Sequence, residues 1–291
     1  MIPAAFEYDR ASSVEEALGL LRTHGSDAKL IAGGQSLLPL MKLRLARPDR
    51  LIDIGRIEAL KGIRVLDDGR RAVGSLTTYA ELIASPEVPY GLFKDALPTI
   101  ADVQVRNRGT IGGAIAHADP AADMPALLLA LDAELVCRSA HRGERTIPAT
   151  QFFQGPFTTA LDPDELLIEI RLPGPSQHHA SAYRMLEQPA SGFAIAGVAV
   201  VIGQTGAAAD DVFDDVRGAV TGVGDHPYRA GAVEAALVGT PIDGPSIASA
   251  VGAICEGVEV MSDIHADREY RAAMAAVMGQ RALEGARARL T

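Results

Sequence analysis

The stretch Lys29-Leu30-Ile31-Ala32-Gly33-Gly34-Gln35-Ser36 decides how the rest of this chain is read. Its first half is apolar and reads as a short buried strand. Its second half sets two adjacent glycines beside a hydroxyl residue. Without Cβ atoms, neighbouring glycines can turn their N–H groups toward one concave point. Such a nest favours anions, phosphate above all. A second pair of this kind follows at Gly109-Thr110-Ile111-Gly112-Gly113. Two such turns in one domain suit the two phosphates of a dinucleotide, gripped from opposite sides. Each pair alone is ordinary punctuation, and neither fits the G-x-G-x-x-G fingerprint or the P-loop pattern.

The flanking sequence supplies the frame. Ser12 or Ser13 caps a first helix, with Glu15 or Glu16 completing a capping box. Val14, Ala17, Leu18 and Leu21 share one face, and Gly25 stops it. A helical stretch over residues 37–45 and a strand over 51–54 complete a small phosphate-binding βαβ unit. Residues 62–76 read as a hairpin turning at Asp67-Asp68-Gly69. Thr78 and Glu81 cap the next helix, and another covers 92–101. Asp119-Pro120 reads as an N-cap with proline at the first helical position, opening a helix through Leu127, Leu128 and Leu131. Strands follow at 133–138 and 165–172. The turn formers Pro173-Gly174-Pro175-Ser176 mark a boundary. Beyond it come strands at 182–186, 194–202 and 216–223, then helices at 230–237, 246–258 and 267–289. That order predicts a sheet covered by helices on one side.

Composition narrows the function. The chain has 291 residues, so two domains are expected, and its net charge of −10 argues against a nucleic-acid partner. The one basic cluster, Arg281 to Arg289, reads as the solvated face of a terminal helix. The two cysteines, Cys137 and Cys255, lack metal-ligand spacing, so no iron–sulfur or zinc site is expected in the chain. The N-terminus lacks a signal-peptide layout, and no apolar run approaches about 20 residues. A cytoplasmic protein with no membrane span is expected. Asp119 reads as a cap. Asp123 has two readings: a partner for the helix N-terminus, or an acceptor for a ligand hydroxyl or ring N–H. Lys42, Arg44, Arg47, Arg106 and Arg108 could meet a diphosphate, although solvation is the plainer reading. No Ser/His/Asp order or carboxylate pair marks a catalytic centre. A dinucleotide nest without acid–base machinery suits a cofactor holder.

Taken together, Ala32-Gly33-Gly34-Gln35-Ser36-Leu37, Thr110-Ile111-Gly112-Gly113, Asp119-Pro120-Ala121-Ala122-Asp123 and the terminal Glu269-Tyr270-Arg271 with Arg281-Ala282-Leu283 resemble one family. It is the FAD-binding medium subunit of carbon monoxide dehydrogenase and related molybdenum hydroxylases, the xanthine dehydrogenase family among them. The resemblance runs over nearly the whole chain. It implies an α+β fold: a two-subdomain FAD-binding domain of the vanillyl-alcohol-oxidase (PCMH) type over residues 1–175, divided near 56, then a smaller C-terminal domain over 176–291 with an antiparallel sheet and helices. It implies FAD wrapped by residues 32–36 and by Thr110, Ile111, Gly112, Gly113 and Ala114, with Asp123 bonding the flavin part. Leu167 would pack near the isoalloxazine, and Phe193 would lie against the ring. The family usually carries lysine where this chain has Met185 and aspartate where it has Gly192, implying a weaker positive field at the ring. The implied partners are a large molybdopterin-binding subunit and a small iron–sulfur subunit with two 2Fe–2S clusters, in a dimer of heterotrimers. Electrons would run from molybdenum through the clusters to FAD and then to an external acceptor. Two other readings of the same chain are a self-sufficient FAD-dependent oxidoreductase and a non-catalytic, FAD-stabilised assembly module.

Overall fold

The structure is a computed structural model that describes residues 2–204 and 212–290. Three sheets organise it. The first is parallel, with β1 (Glu7–Arg10), β2 (Ala28–Ile31) and β3 (Arg50–Asp53) in the order β1-β3-β2. Helix α1 (Val14–His24) connects β1 to β2. Ser13 caps it, accepting from Glu16 N–H at 3.1 Å, while the Glu16 carboxylate accepts from Ser12 N–H at 2.8 Å. The Ser13 cap is worth about 1 kcal/mol, and Glu16 reaches past it to the residue before, so the expected reciprocal box is not completed. Val14, Ala17, Leu18 and Leu21 are buried on the inner face, as their spacing predicts. Helix α2 (Leu37–Lys42) leads on toward β3. Strand β1 has no apolar alternation. Polar pairs hold it to β3 instead: Arg50 with Asp9, and Tyr8 with Asp53 across a 2.5 Å hydrogen bond.

The second sheet is antiparallel, with β4 (Ile63–Val65), β5 (Arg71–Gly74), β6 (Glu134–Ser139), β7 (Gly143–Pro148) and a later strand, Glu165–Leu172, in the spatial order β4, β5, Glu165–Leu172, β6, β7. Helices α3 (Tyr79–Ala84), α4 (Gly91–Ala96), α5 (Val103–Arg106), α6 (Ile111–His117) and α7 (Asp123–Ala130) lie between β5 and β6 in the chain. The predicted capping box at Thr78 and Glu81 is present. All eight residues of α7 are buried, as an all-round apolar helix requires. After β7 come the short α8 (Ala149–Phe152) and the ribbon β8 (Phe153–Gly155) and β9 (Thr158–Thr159); Glu165–Leu172 is then β10.

Two sequence expectations fail here. Helix α7 begins at Asp123 with Ala122 as its N-cap, not at Asp119-Pro120. The Asp119 carboxylate accepts from Ala121 N–H at 2.9 Å and closes a turn ahead of Ala122, the residue that caps the helix. The stretch expected as a second glycine turn is the start of α6, with Thr110 as N-cap. There Gly112 is needed because Ser75 occupies its Cβ position: an added methyl would stand 2.6 Å from Ser75 O.

The third sheet has the order β11 (His179–Glu187), β12 (Ala194–Gly203), β13 (Asp215–Thr221), β14 (Tyr228–Arg229), all antiparallel. Helices α9 (Gly231–Leu237), α10 (Gly244–Ala250) and α11 (Arg268–Arg287) cover one face. The expectation of one covered side is incomplete, because α4 and α7 cover the other. Strand β12 therefore alternates between two cores: Val198 and Val200 face α11, whereas Ala199 and Val201 join the core around α7. The seam is pinned by Asp95, which accepts from Tyr183 N–H (3.0 Å), Arg184 (2.7 Å) and Arg289 (2.6 Å). Arg289 is thus an interdomain tie, not merely part of a solvated helix face.

Candidate functional site

The two glycine stretches meet. A Cβ added at Gly33 would lie 2.8 Å from the carbonyl carbon of Arg108 and 3.1 Å from Gly109 Cα, and closer still to the Arg108 oxygen. Only glycine allows the bend after β2 to touch the chain before α6. Beside this contact opens a cleft of about 940 Å³, at the upper end of the usual range for cofactor sites.

The bend itself is built for an acceptor-rich guest. Gly34 takes φ +74°, which reverses the chain. Among the described residues, none accepts from the backbone N–H groups of Gly33, Gly34, Gln35, Ser36 and Leu37. Gln35 and Ser36 are exposed and Gly33, Gly34 and Leu37 partly so, which leaves these donors open to water or to an anionic guest in the cleft. The opposite wall differs from expectation. Ile111 N–H donates to Thr77 O (2.9 Å), Gly112 N–H to Ser75 O (2.8 Å) and Gly113 N–H to Thr110 Oγ1 (3.1 Å). Those three amides are already paired within the protein. The α6 end contributes a close wall rather than a second set of donors.

Ala32, Gly33, Gly34, Gln35, Ser36, Leu37, Thr110, Gly112, Gly113, Ala114, Asp119, Asp123, Leu167 and Phe193 all line this cleft. Ile111 and Met185 do not. The Ile111 side chain is fully buried in the main core. Met185 is half-buried and packs against that same core. A charge difference at position 185 would therefore act from outside the cleft lining. Lys42, Arg44, Arg47 and Arg108 are exposed and outside the lining. Arg106 is spent on the carbonyls of Ile100 (2.9 Å) and Ala101 (2.7 Å).

The cleft also brings Asp123 and Phe193, both expected at the site, together with groups that no local pattern marks as their partners. His117 and Phe157 stack with ring centroids 5.2 Å apart, and burial lowers the His117 pKa. The β11–β12 hairpin projects Ser191, Gly192 and Phe193 over the opening, with Gln188 Oε1 accepting from Ala190 and Ser191 N–H at 2.7 Å. Asp123 is 7% exposed, and burial pushes its carboxyl up to about 6 against the opposing hydrogen bond from the Tyr183 hydroxyl. Tyr79 lines the cleft too, its phenol raised by burial and then by Asp123. Tyr183 and Asp123 are sixty positions apart, and no local pattern signals their contact.

A parallel βαβ unit abutting an antiparallel sheet, with unpaired amides at their junction, defines a protein that holds an extended anionic cofactor. The comparisons with known proteins give the particular family. Residues 4–175 match the family described as the FAD binding domain in molybdopterin dehydrogenase, and residues 181–286 match the CO dehydrogenase flavoprotein C-terminal domain. The carbon monoxide dehydrogenase medium chain of Hydrogenophaga pseudoflava is 44% identical, covering 99% of both chains. Caffeine dehydrogenase subunit beta of a Pseudomonas species is 38% identical, covering 100% of this chain and 97% of its own. The solved carbon monoxide dehydrogenase from H. pseudoflava superposes with a TM-score of 0.94 over the full length of both chains at 44% identity. Quinoline 2-oxidoreductase from Pseudomonas putida 86 gives 0.89 at 32% identity, over 100% and 99%. The chain belongs to the FAD-binding medium-chain family of molybdenum hydroxylases. Its relatives are dehydrogenase and oxidoreductase subunits, and it is an oxidoreductase subunit of that kind.

Proposed function

We propose that this chain is the electron-transferring flavin subunit of a heteromeric molybdenum hydroxylase. The single observation that carries the site assignment is the bend at Gly33–Leu37, which lines the cleft, has amides without a protein acceptor among the described residues, and depends on glycine at 33 to approach the chain before α6. Those five N–H groups would bind the diphosphate of FAD, and Ser36 adds a hydroxyl. Leu167 and the Phe193 hairpin would bound the flavin end and exclude water there. Asp123 would accept from the flavin part. FAD, when bound, would supply the redox chemistry, accepting electrons one at a time from iron–sulfur clusters and passing them on singly or in pairs. The residues of this chain then have one task, to hold and insulate it.

Partner chains supply the rest of this reading. A large molybdopterin subunit would oxidise the substrate, and a small subunit with two 2Fe–2S clusters would deliver electrons to FAD. An external acceptor would remove them, in a cytoplasmic dimer of heterotrimers. The chain would divide at 175/176, with the first domain split near 56. Among the described residues, no group of three or more His, Cys, Asp or Glu side chains could hold a metal, and no helix is long and apolar enough to cross a membrane.

The test is purification of the chain alone and with the genes beside its own. The expected result is one FAD per chain by visible absorbance and co-purification with molybdopterin and iron–sulfur subunits. A colourless chain that refuses FAD would favour the assembly module. Flavin reduction by a small substrate without partner chains would favour a self-sufficient oxidoreductase.

A further inference from the structure

The segment that carries Asp123 is held from outside its own domain. Thr221 Oγ1, buried in β13, lies 2.8 Å from both Pro120 O and Ala122 O. Gly222 N–H donates to Pro120 O at 2.8 Å, and Ala194 N–H to Ala121 O at 3.2 Å. The last tie is the Tyr183 hydroxyl on Asp123 Oδ1. Tyr183 is 3% exposed and lies behind the cleft, outside its lining. Room for its hydroxyl exists because position 197 on β12 is glycine. A Cβ there would overlap the hydroxyl and stand 3.1 Å from the ring carbon that bears it. Two positions on neighbouring strands are thus given over to one hydrogen bond.

We propose that Tyr183 is a positioning residue for the cofactor site, fixing the orientation and the proton state of Asp123 where its carboxylate borders the cleft. The proposal rests on the reading of that cleft as the FAD site. A buried phenol stays neutral, so toward Asp123 it acts as a donor and favours the carboxylate over the acid. Burial favours the acid. So does the negative charge of Glu187, further along β11. Of the other groups at this end of the cleft, Tyr79 on α3 is held neutral by burial, and His117 on α6 has its cationic form disfavoured by burial. Asp119, on the turn before α7, is acidic and lines the same cleft. Apart from the backbone at the start of α7, Tyr183 is the group that keeps Asp123 ionised near neutrality.

Tyr183→Phe keeps the ring and removes the hydroxyl. The full chain is titrated with FAD from pH 5 to 9, following flavin fluorescence quenching. The wild type is expected to show an inflection in affinity at about pH 6, set by Asp123. In Tyr183→Phe the inflection moves up by about one pH unit or more, and affinity at pH 7 falls about tenfold, the worth of one hydrogen bond to a charged group. Asp123→Asn abolishes the inflection, and adding Tyr183→Phe to it restores nothing. Should phenylalanine at 183 unfold the chain, Gly197→Ala, which pushes the hydroxyl off Asp123, must move the inflection the same way. An unchanged inflection and affinity in Tyr183→Phe overturns the proposal. A wild-type chain that takes up no FAD at any pH overturns the reading of the cleft instead.

Discussion

Replacing Gly33 by alanine tests the site at its tightest point. Gly33 does not have a positive φ, so the new methyl strains contacts rather than the backbone torsion. Those contacts are to main-chain atoms of Arg108 and Gly109, at 2.8 and 3.1 Å, and neither can rotate away. Overpacking costs about 1–3 kcal/mol, and a backbone neighbour puts this case near about 3. The cheapest relief is to part the β2–α2 bend from the wall before α6, which shifts the free amides that line the cleft. If the strain falls on the bound state, about 3 kcal/mol is roughly a hundredfold in FAD affinity. The assay is FAD titration of the purified variant beside its thermal melt. Gly19→Ala serves as the control: its site on α1 has nothing within 4 Å, so the methyl should stabilise the helix by about 1 kcal/mol and leave FAD binding unchanged. If Gly33→Ala binds FAD within twofold of wild type and melts with it, the close approach has no bearing on the cofactor.

Three further outcomes follow from the same geometry. Thr221→Val removes the buried hydroxyl that lies between two carbonyls and can donate to either, so urea unfolding should show a loss of about 1–3 kcal/mol. Asp95→Asn should cost about 1–2 kcal/mol, because Arg184 and Arg289 lose a charged acceptor at the seam but stay over a third exposed and keep backbone acceptors. Hydrogen bonds from Arg289 and Tyr183 N–H outweigh burial and hold the Asp95 pKa below its ordinary value. Its stabilisation is therefore complete above about pH 4 and is lost as the pH falls through the lowered value, so the Asn variant should show a flatter acid limb in stability against pH. Met185→Lys should leave the flavin midpoint potential unchanged while costing about 1–2 kcal/mol, because position 185 packs on the core and not on the cleft.

Local chemistry made much of this fold legible. The caps at Ser13, Thr78 and Asp267 each accept from a backbone N–H three residues on, so the polar residue before an apolar run marks the helix start. The hairpin of β4 and β5 follows from its Asp-Asp-Gly turn. Edge strands were harder to see. In β7 only Ile147 is buried, so Gly143–Pro148 carries no alternation to read. Helix α6 was hidden by Gly112 and Gly113, which have low helical propensity; tertiary packing on Ser75 overrides it. Asp119 has the residue type and the following proline of a cap, but the Thr221 hydroxyl lies against Pro120 O and Ala122 O, and the helix starts later. In the site, the first glycine bend was legible as a donor array. What the sequence could not reveal was where the second bend spends its amides, or which residue reaches Asp123 from another domain. Both depend on pairings far apart along the chain.

The double-sided burial of β12 bears on how such chains can be recombined. A fragment ending near residue 175 would leave the apolar flank of α7 bare and would lose Ala199, Val201 and Tyr183 from the core they complete. The two halves should therefore melt as one cooperative unit. A chimaera that trades C-terminal halves between relatives would have to match small side chains along a whole strand before it could carry a coenzyme.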